Sequence, residues 1–117
     1  MLLDRTHRIL YSTDVVYLRS LYLLNPDSSV PEYIGTLERL GGLVPHLDVV
    51  YPSHGPSPIS PALIIEILEG MREIQAGRIP DHVDSKPANE GGREDVTKRE
   101  SVSTHEFGTY RVLIAEF

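Results

Sequence analysis

The segment from Leu47 to Pro61 constrains the fold most, because strand, turn and helix signals follow one another without a gap. It opens with an apolar run whose residues, Val49 to Tyr51, are β-branched and aromatic and therefore favour a buried strand. Pro52 ends this run, since proline cannot donate a hydrogen bond to a sheet. Gly55 then permits a tight corner. His54 is thus placed at the carboxyl end of a strand, where open α/β sheets usually bind ligands.

Two amphipathic helices are predicted on either side of this strand. The first begins at Ser29, which forms a capping-box pattern with Glu32, and it ends at Gly41. The second runs from Pro61 to about Ala76, with Ser60 as a suitable N-cap. Apolar residues at helical spacing give each helix one buried face. They are Tyr33, Ile34, Leu37 and Leu40 in the first helix, and Leu63, Ile64, Ile67, Leu68, Met71 and Ile74 in the second.

The first 26 residues contain two further signals. Apolar runs at 1–3 and 9–11 enclose a polar stretch, which predicts a hairpin. Asp14 follows the second run, where an aspartate taken alone often just caps a turn. Residues 18–26 mix leucines with polar residues, and two interpretations stay open for them. They form a loop over a groove, or they form buried structure at a subunit contact.

The remainder of the chain divides by composition. Residues 80–104 are mostly polar, so we predict a mobile loop there, because such a segment buries too little surface to offset its ordering entropy. Residues 105–117 recover strand character, and we expect this strand to pair at a sheet edge. The predicted domain therefore comprises residues 1–79, the loop at 80–104 and a final strand at 105–117.

Charge and cysteine content exclude several classes of function. The formal net charge of −6 argues against nonspecific nucleic-acid binding and against an anionic membrane surface. There is no cysteine, so His, Asp or Glu would have to hold any metal. No apolar run approaches the ~20 residues of a membrane span. With no secretion signal recognised, we expect a cytoplasmic protein.

Two motifs separated by the first helix resemble a known family. The first is Arg-Ile-Leu-Tyr-Ser-Thr-Asp-Val-Val-Tyr, from Arg8 to Tyr17, and the second is Leu-Asp-Val-Val-Tyr-Pro-Ser-His-Gly-Pro, from Leu47 to Pro56. Together they are similar to the C-terminal half of metallo-β-lactamase-fold hydrolases, where a strand ends in Ser/Thr-Gly-Asp and a later one in Pro-Gly-His-Gly. Thr13 and Ser53 stand where that family usually has glycine. The resemblance covers about residues 2–79 and implies an α/β fold, half of an αββα sandwich with two main helices on one face of a mixed sheet.

The resemblance also implies a metal site. Asp14 would match the carboxylate that bridges two metal ions, and His54 would match the last histidine ligand. The implied cofactor is zinc, or else manganese or iron, with two ions in the complete site. The implied substrate is a small-molecule ester, thioester, lactam or phosphoester. The family's His-x-His-x-Asp-His motif is absent, and the remaining histidines do not reproduce its spacing; we interpret them as surface or turn residues: His7, His46, His82 and His105.

Several hypotheses follow from this incomplete ligand set. The chain is one part of a hydrolase, inactive alone, whose missing N-terminal half supplies the other ligands. Alternatively, it is a noncatalytic half-fold that associates with itself as a homodimer or higher oligomer. A third hypothesis places Asp14 and His54 of two chains around one symmetric metal site. A triad of Ser53, His54 and Asp14 is disfavoured, since adjacent side chains on an extended segment point in different directions.

Overall fold

The chain folds into a small mixed α/β domain with two helices and two mixed sheets. The computed structural model describes residues 1–23, 29–84 and 101–116. In chain order the elements are β1 (Leu2–Asp4), β2 (Ile9–Thr13), β3 (Arg19–Leu23), α1 (Val30–Gly41), a 3₁₀ turn (Val44–His46), β4 (Val49–Pro52), α2 (Ala62–Gln75), β5 (His82–Asp84), β6 (Ser101–Glu106) and β7 (Tyr110–Glu116). The predicted α/β class is confirmed, although the described strands form two sheets rather than one.

The first sheet has the strand order β1-β2-β4 and carries both resemblance motifs. β1 and β2 are antiparallel, which confirms the predicted hairpin. β2 and β4 are parallel, with Leu10 opposite Val50. The strand at Val49–Pro52 ends at the proline, as the sequence predicts. Because β2 and β4 run in the same direction, the residues that follow them meet at one edge of the sheet.

The second sheet has the order β3-β7-β6-β5 and corrects three predictions. The stretch at 18–26 contains a strand, β3, which pairs in parallel with β7. The predicted loop at 80–104 is wrong at its ends, where β5 and the start of β6 lie, whereas 85–100 fall outside the described residues. The single final strand predicted at 105–117 is an antiparallel pair, β6 and β7. Moreover, β7 lies between β3 and β6 rather than at an edge.

Both helices form where periodicity predicts them, although α2 begins one residue later than expected, with Pro61 rather than Ser60 at its N-cap position. The Ser29 side chain accepts a hydrogen bond from the Glu32 amide at 3.3 Å, which caps α1. The Ser60 side chain accepts from the Ala62 amide at 3.2 Å at the start of α2. The helices' apolar faces join strand residues of both sheets in one core; its strand residues include Leu10, Val50, Leu21 and Val112. None of the helices in the described ranges is long and apolar enough to cross a membrane.

Candidate functional site

The two predicted site residues lie together at the edge where β2 and β4 end. The Ser53 amide donates a hydrogen bond to the Thr13 carbonyl at 3.0 Å, extending the contact between the two chain segments beyond the strands. Just past this bond, His54 Nε2 lies 2.9 Å from Asp14 Oδ1. Val50 and Ile59 exchange backbone hydrogen bonds of 3.0 and 2.8 Å, so the loop carrying His54 is fastened at both of its ends.

The Asp14–His54 pair is open to solvent. The Asp14 side chain is 72% exposed and that of His54 is 64% exposed. An ion pair this exposed contributes at most about 1 kcal/mol to folding, and only when the histidine is protonated. Stability therefore does not explain why the two groups converge, and both retain room for a further partner.

The segment that carries Asp14 is held by hydrogen bonds to its backbone. Ser12 is fully buried and its hydroxyl donates to the Val16 carbonyl at 2.7 Å, while the Val15 amide donates to the Ser12 carbonyl at 3.1 Å. From α1, the Tyr33 hydroxyl donates to the Val15 carbonyl at 2.6 Å. Burial raises the pKa of Tyr33, so this hydroxyl keeps its proton. These bonds fix the position of Asp14 relative to the sheet and α1.

Strained backbone angles occur on both sides of the segment that carries Asp14. Thr13 has φ of 53° and Arg19 has φ of 86°, both in the left-handed region that non-glycine residues rarely adopt. Each such position costs on the order of 1–3 kcal/mol, and such strain concentrates at functional sites. Gly55 has φ of 73°, and a Cβ there would lie 3.1 Å from the Leu18 carbonyl oxygen. The histidine corner and the Asp14 segment are therefore packed backbone against backbone.

Aromatic side chains line two clefts beside the pair. The ring of Tyr17 meets the ring of His54 edge-on, with the centroids 5.8 Å apart. Burial is the main reason that the pKa of Tyr17 is raised, and the neighbouring Tyr22 and Asp14 raise it further. One cleft, of about 210 Å³, includes Asp14 in its lining, and the other, of about 390 Å³, includes His54. Tyr17 and Tyr22 line both clefts, so a ligand in either would lie near the pair.

The donor types of the pair fit a metal, but their number is too small. Imidazole and carboxylate suit zinc, manganese or iron. Catalytic zinc sites use three protein ligands and structural sites four. Within residues 1–23, 29–84 and 101–116, no group of three or more His, Asp or Glu side chains could hold an ion. The chain's described residues therefore provide part of a metal site at most.

The other histidines have separate places in the fold. His7 pairs with Asp4 across the β1–β2 turn at 2.8 Å, and His46 and His82 are exposed, as expected of surface residues. The prediction for His105 is wrong, since it lies in β6 and is only 4% exposed. Burial lowers the pKa of His105, which favours the neutral ring.

Three residues of the site were not found from the sequence. Tyr33 was assigned to the apolar face of α1, where it does lie, but its hydrogen bond to Val15 has no signal in the spacing. In the sequence Tyr17 is only the last residue of the first motif, and Arg19 is one of the polar residues among the leucines of 18–26. The φ of Arg19 arises where β3 begins to pair with β7, a contact between distant parts of the chain.

Comparisons of the chain with protein-family models, curated proteins and solved structures found no match. The interpretation of this site therefore depends on its own residues. Its strongest feature is that Asp14 and His54, which lie 40 residues apart in the sequence, are in contact.

Proposed function

We propose that this chain contributes two ligands, Asp14 and His54, to the metal site of a metallo-β-lactamase-fold hydrolase. The observation that carries the proposal is the 2.9 Å contact between His54 Nε2 and Asp14 Oδ1 at the ends of adjacent parallel strands. Two groups held this close could bind one ion or two neighbouring ions. The domain would be half of an αββα sandwich, with its two helices on one face.

The backbone of Thr13 gives independent support. Its φ of 53° lies in the region that favours glycine, and the resembled motif has glycine at this position. The local chain path is thus the one that a Ser/Thr-Gly-Asp motif would take, although the residue is threonine.

The remaining ligands would come from the counterpart of the N-terminal half, either on a separate chain or on a part of the same protein outside these 117 residues. A metal held by these residues would supply an activated hydroxide and would stabilise a leaving oxygen, which is the chemistry needed to hydrolyse an ester, thioester, lactam or phosphoester. The residues of this chain would orient the ligands: Tyr33 and Ser12 fix the Asp14 segment, and Tyr17 borders the ring of His54. We expect the chain alone to be inactive.

Zinc binding tests this proposal, and the fold contains a matched control. We expect weak zinc binding that falls at least about tenfold in Asp14→Ala and in His54→Ala, because each removes one of two ligands. His7→Ala removes a histidine from another exposed aspartate–histidine pair, so it should leave zinc affinity unchanged. Titration calorimetry and zinc content after dialysis measure both effects. Equal losses of zinc affinity in the His7 and His54 variants would contradict the proposal. A content of one zinc per two chains would indicate a site completed by two copies of the chain.

A second candidate function is self-association, which the outer face of the first sheet favours. Leu2, Tyr11 and Tyr51 are direct cross-strand neighbours, and all three are exposed, Leu2 by 66%. The two tyrosine rings stack with their centroids 5.8 Å apart. On the opposite face, Leu10 and Val50 belong to the core. Exposed apolar rows of this kind often mark interaction surfaces.

We infer that a second copy of the chain covers this row if the chain functions as a noncatalytic module. Light scattering at micromolar concentration should then show a homodimer or higher oligomer. Tyr11→Glu should reduce the mass to that of a monomer, since a charge would be buried between the copies. Ile79→Glu is the matched control, because Ile79 is exposed outside the sheets. A monomeric wild-type chain would remove this candidate.

A further inference from the structure

The larger cleft beside the pair combines apolar walls with one cation. It has a volume of about 390 Å³ and is bordered by Tyr17, Tyr22 and Leu18, which supply apolar surface. Its polar side contains Arg19, and the His54–Gly55 corner closes the end nearest Asp14. A ligand that fills this cleft therefore needs an apolar body and a group that suits a guanidinium.

Arg19 is available to such a ligand. Among the described residues, four other arginines pair with carboxylates: Arg8, Arg72, Arg78 and Arg111. Arg5 and Arg39 do not pair with a carboxylate in that part of the chain, but neither of them lines this cleft. No carboxylate within residues 1–23, 29–84 and 101–116 pairs with Arg19, and its side chain is exposed. The chain as a whole has a net charge of −6, so this guanidinium gives the cleft a positive charge that the rest of the surface mostly lacks. Guanidinium groups bind carboxylate and phosphate through paired, charge-assisted hydrogen bonds.

The backbone around Arg19 is fixed before any ligand binds. Its amide donates to the Thr109 carbonyl at 3.4 Å, and the residue lies opposite Tyr110 in the β3–β7 register. On the other side, the preceding residue, Leu18, lies so near Gly55 that a Cβ at Gly55 would be 3.1 Å from the Leu18 carbonyl oxygen. Holding Arg19 at φ of 86° costs free energy, which these contacts offset. Such preorganisation reduces the entropy lost on binding.

The charge of Asp14 sets the orientation of the ligand. Asp14 lines the adjoining cleft and contacts His54, so an anion would be repelled at that end and attracted at the Arg19 end. The uncharged part of the ligand would then extend along the tyrosines toward the Asp14–His54 pair.

We propose that this cleft binds small organic molecules in which an apolar body is joined to a carboxylate or phosphate, with Arg19 receiving the anionic group. That such a molecule is a substrate rests on the proposed function. The binding itself needs no metal, so the two proposals fail separately.

The test is an NMR titration of the full chain in the presence of EDTA. The probes are phenylacetate, phenyl phosphate and the neutral benzyl alcohol, added to ¹⁵N-labelled protein. We expect an anionic probe to shift the amide signals of Arg19 and Gly55, with benzyl alcohol binding several-fold more weakly. Arg19→Gln should raise the dissociation constant by about fivefold, since an exposed charge-assisted bond is lost. Arg5→Gln removes the same charge from the β1–β2 turn and should change it less than about twofold.

Each outcome decides the proposal. Shifts from phenylacetate alone or phenyl phosphate alone support it and identify the anionic group. Equal binding of benzyl alcohol, equal losses in the Arg19 and Arg5 variants, or no shifts with any probe would overturn it. Zinc titration of Arg19→Gln separates the metal-site proposal from the anion-site proposal, because this variant should keep the zinc affinity of the wild-type chain. Anion binding without zinc binding would remove the metal site alone, and zinc binding without anion binding would remove this inference alone.

Discussion

Replacing Ile67 with alanine is expected to lower the free energy of unfolding by about 2–5 kcal/mol. Ile67 lies on the buried face of α2 and is fully inaccessible to solvent, within the core shared by both sheets. The substitution loses apolar burial and leaves a cavity. Because domains of this size are stable by only about 5–15 kcal/mol, the loss is a large fraction of the total.

Ile79→Ala is the matched control for this substitution. Ile79 is 83% exposed, so the same change of side chain should alter stability by less than about 0.5 kcal/mol. Urea unfolding followed by circular dichroism measures both variants, provided that the slope with denaturant stays constant. Similar losses at the two positions would contradict the assignment of the α2 stripe to the core.

The parts of this fold that could be predicted are those set by residues close together in the sequence. The cap at Ser29, the proline that ends β4 and the apolar stripes of the helices each act within a few residues, and all were correctly interpreted. The resemblance assigned Asp14 and His54 to one metal site but did not predict that their side chains would touch, and the parallel register of β2 and β4 gives the physical cause of that contact.

The second sheet shows why the rest could not be predicted. β3 is only five residues long and begins with the polar residues Arg19 and Ser20, and its pairing partner, β7, lies at the far end of the sequence. Burial by such a distant partner overrides local propensity. The same pairing of β3 with β7 fixes the backbone of Arg19. The position of this cation in the larger cleft therefore could not be predicted from the residues next to it in the sequence.

One interior glycine of each helix, Gly35 in α1 and Gly70 in α2, should respond to alanine in opposite directions. Gly70 is buried on α2, and a Cβ there would overlap the Tyr110 hydroxyl and lie 3.0 Å from Cε1 of Phe107. At Gly35 of α1, the nearest side-chain atom, Nη1 of Arg39, would lie 3.8 Å away. Alanine favours a helix over glycine by about 1 kcal/mol. We therefore expect Gly35→Ala to stabilise the protein by about 0.5–1 kcal/mol and Gly70→Ala to destabilise it by about 1–3 kcal/mol.

The Gly70 effect should arise mainly from the Tyr110 hydroxyl. That hydroxyl donates to the Glu66 carbonyl at 2.9 Å, and burial is the first reason that its pKa rises to about 12, so it remains a donor at neutral pH. The ring also stacks on Phe107 at 5.0 Å, which leaves it little freedom to move away from a methyl group. In a Tyr110→Phe background the overlapping oxygen is gone, so adding Gly70→Ala should cost less than it does in the wild-type chain. A double-mutant cycle from urea unfolding measures this coupling, and strictly additive losses would show that the overlap is relieved without moving Tyr110.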